Sequence, residues 1–123
     1  EPIEPLVQNG MINEALVLLF TSIEREREFY TRASRLEGQN SFESIARDCV
    51  EQVLLKVVKK SEAAKPQKYV WLTPERISKY YAQSMCYVVI TWIQEGMSIS
   101  GRELAEIYDY IINRSMEDIL NGM

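Results

Sequence analysis

Histidine is absent from this 123-residue chain, and cysteine occurs only twice. The missing His removes the usual general base, the usual zinc ligand and the usual pH switch together. Two Cys without His cannot supply the four N/S ligands of a structural zinc site. Cys49 and Cys86 lie far apart inside apolar helical patterns and read as buried thiols of a cytosolic protein; a disulfide between two helices is the open alternative. Long apolar runs are missing too. Stretches such as Met85 to Ile90 stop far short of the roughly 18 residues a membrane span needs. No basic segment followed by an apolar one marks a signal peptide. The expectation is therefore a cytoplasmic protein with no membrane partner. Excess positive charge is also lacking: the formal net charge is −4, which argues against holding nucleic acid by overall charge. The chain starts at Glu1 without an initiator Met, which suggests a fragment or processed product.

What is present is helical periodicity. Residues 1–10 hold two Pro and an Asn-Gly pair and read as a lead-in or linker, leaving 11–123 as one domain. From Met11, the residues Ile12, Leu16, Leu19, Phe20 and Ile23 recur three and four apart, as one helix face does. A short helix, Phe29 to Leu36, follows the charged run Glu24 to Glu28, and Gly38 stops it. Asn40 with Glu43 forms a capping box for a helix from Ser41 to Lys60. Its apolar stripe is Phe42, Ile45, Ala46, Cys49, Val50, Val53, Leu54 and Val57. The stretch Ser61 to Leu72, broken by Pro66, is a loop whose end, Tyr69 to Trp71, is expected to fold back onto the body.

Thr73-Pro74-Glu75 opens the next helix with a cap, an N1 proline and a carboxylate for the positive end of the helix dipole. It runs to Glu95 and stops at Gly96. Ile77, Tyr81, Ala82, Met85, Cys86, Val88, Val89, Trp92 and Ile93 fill about half its circumference. Tyr80, Tyr87 and Ile90 form a second apolar patch, so this helix needs two partners. Ser100 and Glu103 cap the last helix, whose arc runs Leu104, Ile107, Tyr108, Ile111, Ile112, Ser115, Met116 and Ile119. No strand alternation occurs. The fold class is all-α, a bundle of four main helices plus one short helix.

Chemistry has little to work with. Candidate carboxylate pairs (Glu24 and Glu28, Glu103 and Glu106, Glu117 and Asp118) lie on solvated faces. There is no Glu-x-x-His and no Gly-rich phosphate loop. The reading is that this is not an enzyme and carries no cofactor or metal. The cluster Lys56, Lys59, Lys60, Lys65 and Lys68 reads as a solvated loop, since no aromatics interleave it. Phe20, Phe29, Tyr30, Phe42, Trp71, Tyr81, Met85 and Trp92 are either core packing or the lining of a cavity for an apolar ligand, with Tyr hydroxyls, Ser84 or Thr91 orienting it. Sequence leaves both open.

The run Tyr80 to Met97, with Trp92 and Gly96, continues through Ser100, Glu103, Leu104 and Ala105. It resembles the C-terminal regulatory domain of TetR/AcrR-family transcription regulators, in which Trp-x-x-x-Gly precedes Ser-x-x-Glu-Leu-Ala. Ile23 to Leu36, with Arg27 and Tyr30, resembles that family's Asn-Arg-x-x-Tyr helix end, Glu26 standing in place of the Asn. The resemblance spans about residues 11–120. It implies a homodimer in which the last two helices form a four-helix bundle, and a small-molecule effector pocket within the domain. The implied dimer residues are Tyr80, Tyr87, Ile90, Ile107, Ile111 and Ile119, and the implied pocket is the aromatic and Met set above. The helix-turn-helix head of such regulators has no counterpart here, so this fragment alone is expected not to bind nucleic acid. A helical oligomerisation or adaptor domain without a small-molecule site is the alternative.

Overall fold

Thr73 begins the longest of the described helices as its residue type requires. In the computed structural model, which describes residues 5–6, 11–35, 42–60 and 68–122, its hydroxyl accepts from the Arg76 backbone N–H at 3.2 Å, with Pro74 in the first turn. Six helices are present among the described residues and no strand: α1 (Ile12–Arg25), α2 (Arg27–Ala33), α3 (Phe42–Lys60), α4 (Pro74–Gln94), α5 (Gly101–Ile112) and α6 (Met116–Leu120). The all-α reading stands. The proposed caps at Asn40 and the stop at Gly38 lie outside the described residues, as does most of the lead-in and of the lysine loop.

The chain divides into two compact units, residues 1–27 with 97–123, and residues 28–96. In the first, α1 packs on α5. Ala15, Leu16, Phe20 and Ile23 are the buried face of α1, and Gly101, Leu104, Ala105 and Tyr108 that of α5. The four-residue spacing from Gly101 to Ala105 puts two small residues on one side of α5, which lets the helix backbones close in. A Cβ on Gly101 would stand 2.6 Å from the Phe20 carbonyl oxygen, so only glycine fits there. Ser100 caps α5 by accepting from Glu103 N–H at 3.1 Å, as its motif predicts. Glu24 adds a second anchor: its carboxylate accepts from Gly101 N–H at 3.0 Å, placing negative charge at the positive end of the α5 dipole.

Helix α5 is shorter than its periodicity predicts. It ends at Ile112, with Asn113 donating back to the Asp109 carbonyl and carboxylate at 2.8 and 3.0 Å. Ser115, read in the sequence as part of an apolar arc, is instead an N-cap. Its hydroxyl accepts from Asp118 N–H at 3.0 Å and starts the separate α6, with Glu117 and Asp118 in the first turn. The predicted single last helix is thus two. Local hydrogen bonding by Asn and Ser outweighs apolar spacing that happens to run on across the break.

In the second unit α3 packs along α4. The inner side of α4 buries Ser78, Ala82, Cys86, Val89, Ile90, Trp92 and Ile93, and Ser78 satisfies its hydroxyl on the Pro74 carbonyl at 2.8 Å. Glu43 and Arg47 pair across one turn of α3 at 3.5 Å. Lys59 on α3 reaches Glu75 on α4 at 3.7 Å. The face α3 presents is turned relative to the predicted stripe. Ile45 and Cys49 fall in an exposed row with Asp48, Gln52, Lys56 and Lys59. Cys49 is therefore exposed, not buried as predicted, and neither cysteine is in a disulfide. The physical reason is geometric. Eight apolar residues span too much of a helix circumference for one partner, and the edge nearest the polar row stays wet.

The helix break at Glu26 is present. Its φ of −112° and ψ of 46° leave helical values, separating α1 from α2, although Glu replaces the Asn of the resembling motif. At the other end of the second unit Gly96 takes φ +85°, the left-handed conformation that ends α4. Met97 follows at φ +52°, with its side chain buried and its carbonyl accepting from the Arg27 guanidinium at 3.5 Å.

Candidate functional site

The residues predicted for an interface and for a pocket each divide between exposed and buried positions. Arg76, Tyr80, Gln83, Tyr87 and Gln94 are all exposed and fall within about 60° of the α4 circumference. Tyr80 is 69 % and Tyr87 71 % exposed, large values for side chains of this size. Ile90 does not join them. It is 7 % exposed, turned toward Cys86 and Ile93 on the inner side of the helix, and so is already packed within the chain. On α5, Ile107 and Ile111 are outward and partly wet, and Ile119 on α6 is half-buried.

The predicted pocket residues do not all come together. Phe20 is wholly buried in the α1–α5 unit, whereas the other seven belong to the unit of residues 28–96. There, Phe29, Tyr30 and Phe42 form a chain of edge-to-face rings, with centroids 5.1 Å and 5.6 Å apart. This links α2 to the start of α3 in the favourable aromatic geometry. Phe29, at one end of the chain, is exposed; Tyr30 and Phe42 are half-buried. On α4, Trp92 is buried, Met85 is half-buried, and Tyr81 turns outward, its ring 5.2 Å from that of Tyr80.

Trp71 lies elsewhere. The turn Tyr69 to Leu72 does not fold back onto the body: Val70 is 93 % and Trp71 66 % exposed. The turn is nonetheless held in place. Leu72 N–H donates to the Tyr69 carbonyl at 3.1 Å, and the Arg76 guanidinium donates to the Trp71 carbonyl at 3.0 Å. The same guanidinium stacks over the Trp71 ring at 4.4 Å. That pairing was missed in the sequence. Its only signal is a Trp five residues before an Arg across a helix start.

Burial pushes the Cys86 thiol up to about 11 from 9.0, with nearby Arg47 pulling it down and Glu43 adding to the rise. A thiol so held stays protonated at neutral pH and is a poor nucleophile. Among the described residues no group of His, Cys, Asp and Glu could hold a metal ion.

Compared with known families, residues 11–114 match the model of a transcriptional regulator C-terminal region of the TetR type. The chain belongs to that family. No curated protein and no solved structure gives a match. The TetR-type motif residues are packing and capping groups. Trp92, Leu104 and Ala105 are buried, Gly96 carries the positive φ, and Ser100 with Glu103 starts α5. They fix the fold of the TetR-type region and carry no reactive chemistry. Helix α6 lies beyond the matched residues.

Proposed function

We propose that this TetR-type C-terminal region homodimerises through the outward rows of α4 and α5 and binds a small, largely apolar effector. Through dimer and effector together it controls a DNA-binding head of its parent regulator, in the cytoplasm. The reading rests above all on Tyr80 and Tyr87. One row of α4 holds two large aromatic side chains in water while the opposite side of the same helix is filled by Ala82, Val89, Trp92 and Ile93. Large aromatics held in water on one row of a helix are the residue types enriched at interaction surfaces. Ile107 and Ile111 give α5 a row of its own.

For the effector, the supporting feature is the ring chain Phe29, Tyr30 and Phe42, with Met85 and Tyr81 in the same unit. Recognition there is by shape and apolar contact, with the Tyr hydroxyls as orienting groups. The complete burial of Phe20 and the near-complete burial of Trp92 favour a second reading, an oligomerisation domain with no small-molecule site, and remove those two residues from any open lining.

A thermal-shift screen with hydrophobic metabolites and drugs separates the two. A ligand at about 100 times its Kd stabilises the folded state by about 2.7 kcal/mol, a rise of several degrees in the midpoint. Loss of the rise in Phe42→Ala places the ligand at the ring chain. A flat response to every compound leaves the oligomerisation reading.

A further inference from the structure

The turn before α4 puts four consecutive apolar or aromatic residues in water. Tyr69 is 61 %, Val70 93 %, Trp71 66 % and Leu72 37 % exposed. The turn is built rather than loose. Leu72 N–H donates to the Tyr69 carbonyl at 3.1 Å, and Thr73 N–H and the Arg76 guanidinium both donate to the Trp71 carbonyl at 3.0 Å. These bonds order the side chains in water. They also satisfy two backbone carbonyls that a drier surrounding would penalise.

Basic groups surround the turn. The Lys68 ammonium lies 5.5 Å from the centre of the Tyr69 ring, and the Arg76 guanidinium stacks on Trp71 at 4.4 Å. Lys56 and Lys59 on α3 and Lys79 on α4 are exposed, and Lys59 reaches Glu75 at 3.7 Å, beside the start of α4. Residues 56–79 hold seven Lys and Arg against two Glu, a net +5, while the remainder of the chain is net −9. The positive charge of an acidic chain is thus gathered in one segment. In the sequence this segment reads as a solvated loop that no aromatics interleave; in the structure two of its cations lie over aromatic rings.

We propose that this turn docks on an anionic phospholipid surface, with Tyr69, Val70 and Trp71 entering the headgroup boundary and Lys68, Arg76 and Lys79 meeting the phosphates. Trp and Tyr favour that depth, where an apolar ring body and a polar edge are both satisfied. Lys and Arg lay their stems along apolar neighbours and keep their charge among the headgroups. Each basic side chain near an anionic surface strengthens binding about fivefold. Shape and composition disfavour other anionic partners. Val70, 93 % exposed, stands out at the tip and forms no groove for the side chains of an acidic peptide. Val70 and Leu72 gain nothing from a nucleic acid, and one face of Trp71 is already taken by Arg76. The expectation of no membrane partner rests on the lack of a span. Among the described residues no helix is long and apolar enough to cross a membrane, and surface association needs none.

Trp71 is the reporter, because Trp92 is buried within the chain. The whole chain is mixed with vesicles of phosphatidylcholine alone, or of phosphatidylcholine and phosphatidylglycerol in equal parts, and co-sedimentation and Trp emission are followed. The expected result is binding to the anionic vesicles only, weakened by salt, with a blue-shifted emission component shielded from acrylamide. Trp71→Ala and Lys68→Glu should each weaken binding at least tenfold, with helical circular dichroism unchanged, since both side chains are exposed. No binding, equal binding to both kinds of vesicle, or binding that both variants retain overturns the proposal. Single-stranded oligothymidylate that shields Trp71 as well as the vesicles do, at equal phosphate concentration, overturns the choice of lipid.

Discussion

The Phe20 carbonyl oxygen lies where a side chain on Gly101 would have to begin: a Cβ there would approach it to 2.6 Å and the Thr21 nitrogen to 2.8 Å. Backbone atoms in the middle of α1 cannot swing aside as a flexible side chain can. Gly101→Ala should therefore push α5 off α1 and destabilise the protein by about 1–3 kcal/mol, the range for overpacked cores. Urea denaturation measures it. Unchanged stability would mean that the two helices do not meet this closely.

Gly96 is a control of a different kind. Nothing lies within 4 Å of a Cβ there, but its φ is +85°. Gly96→Ala should cost about 1–2 kcal/mol from backbone strain alone. Loss without any steric partner is the signature to look for, and Gly96→Asn should recover part of it, because Asn tolerates the left-handed region.

Glu24 holds the start of α5 through Gly101 N–H at 3.0 Å. Glu24→Gln keeps an acceptor and loses the charge, while Glu24→Ala loses both. The expected order of stability is wild type, then Gln, then Ala, with the Ala variant down by about 1–2 kcal/mol. Equal stability of all three would show that the bond contributes nothing in solution.

The two thiols should behave as opposites. Cys49 is exposed and Cys86 buried, so a thiol reagent at pH 8 should label one group per native chain and the second only on unfolding. The Cys86 thiol, raised from 9.0 to about 11, is charged more readily in the unfolded chain than in the folded one. Its contribution to stability is therefore complete below pH 9 and declines as pH rises from 9 to 11. Cys86→Val removes this titration, and its stability should fall less steeply over that window. Identical slopes would contradict the assignment.

Much of the fold is legible in the sequence because the helix ends are written locally. Thr73 with Pro74, Gly96, and Ser100 with Glu103 each act through their own backbone geometry, and each lies where it was expected. The misreadings share another cause. Ile45, Cys49 and Trp71 are apolar or aromatic, and residue type alone does not say whether a partner is within reach. Ile90 and Tyr87 are three residues apart, yet one is packed and the other is wet, because α3 covers only one side of α4. The break at Asn113 to Ser115 was hidden by apolar residues that keep helical spacing across it. The motif behind the family assignment was readable for the reason that it is a packing motif. Phe29, Tyr30 and Phe42 stand in the sequence only as three of eight candidates for core or pocket; their edge-to-face chain, and the separation of Phe20 into another unit, follow from chain topology, which one sequence does not spell out.

Sedimentation velocity on the wild-type chain and on Tyr87→Glu tests the central claim most directly, because Tyr87 is 71 % exposed and can be replaced without touching the core. A dimer in the wild type, and a folded monomer in the variant at the same concentration, is the predicted pair of results, since a carboxylate would be desolvated without a partner at the contact. A wild-type chain that sediments as a monomer, or a variant that keeps the wild-type dimer, would contradict the account.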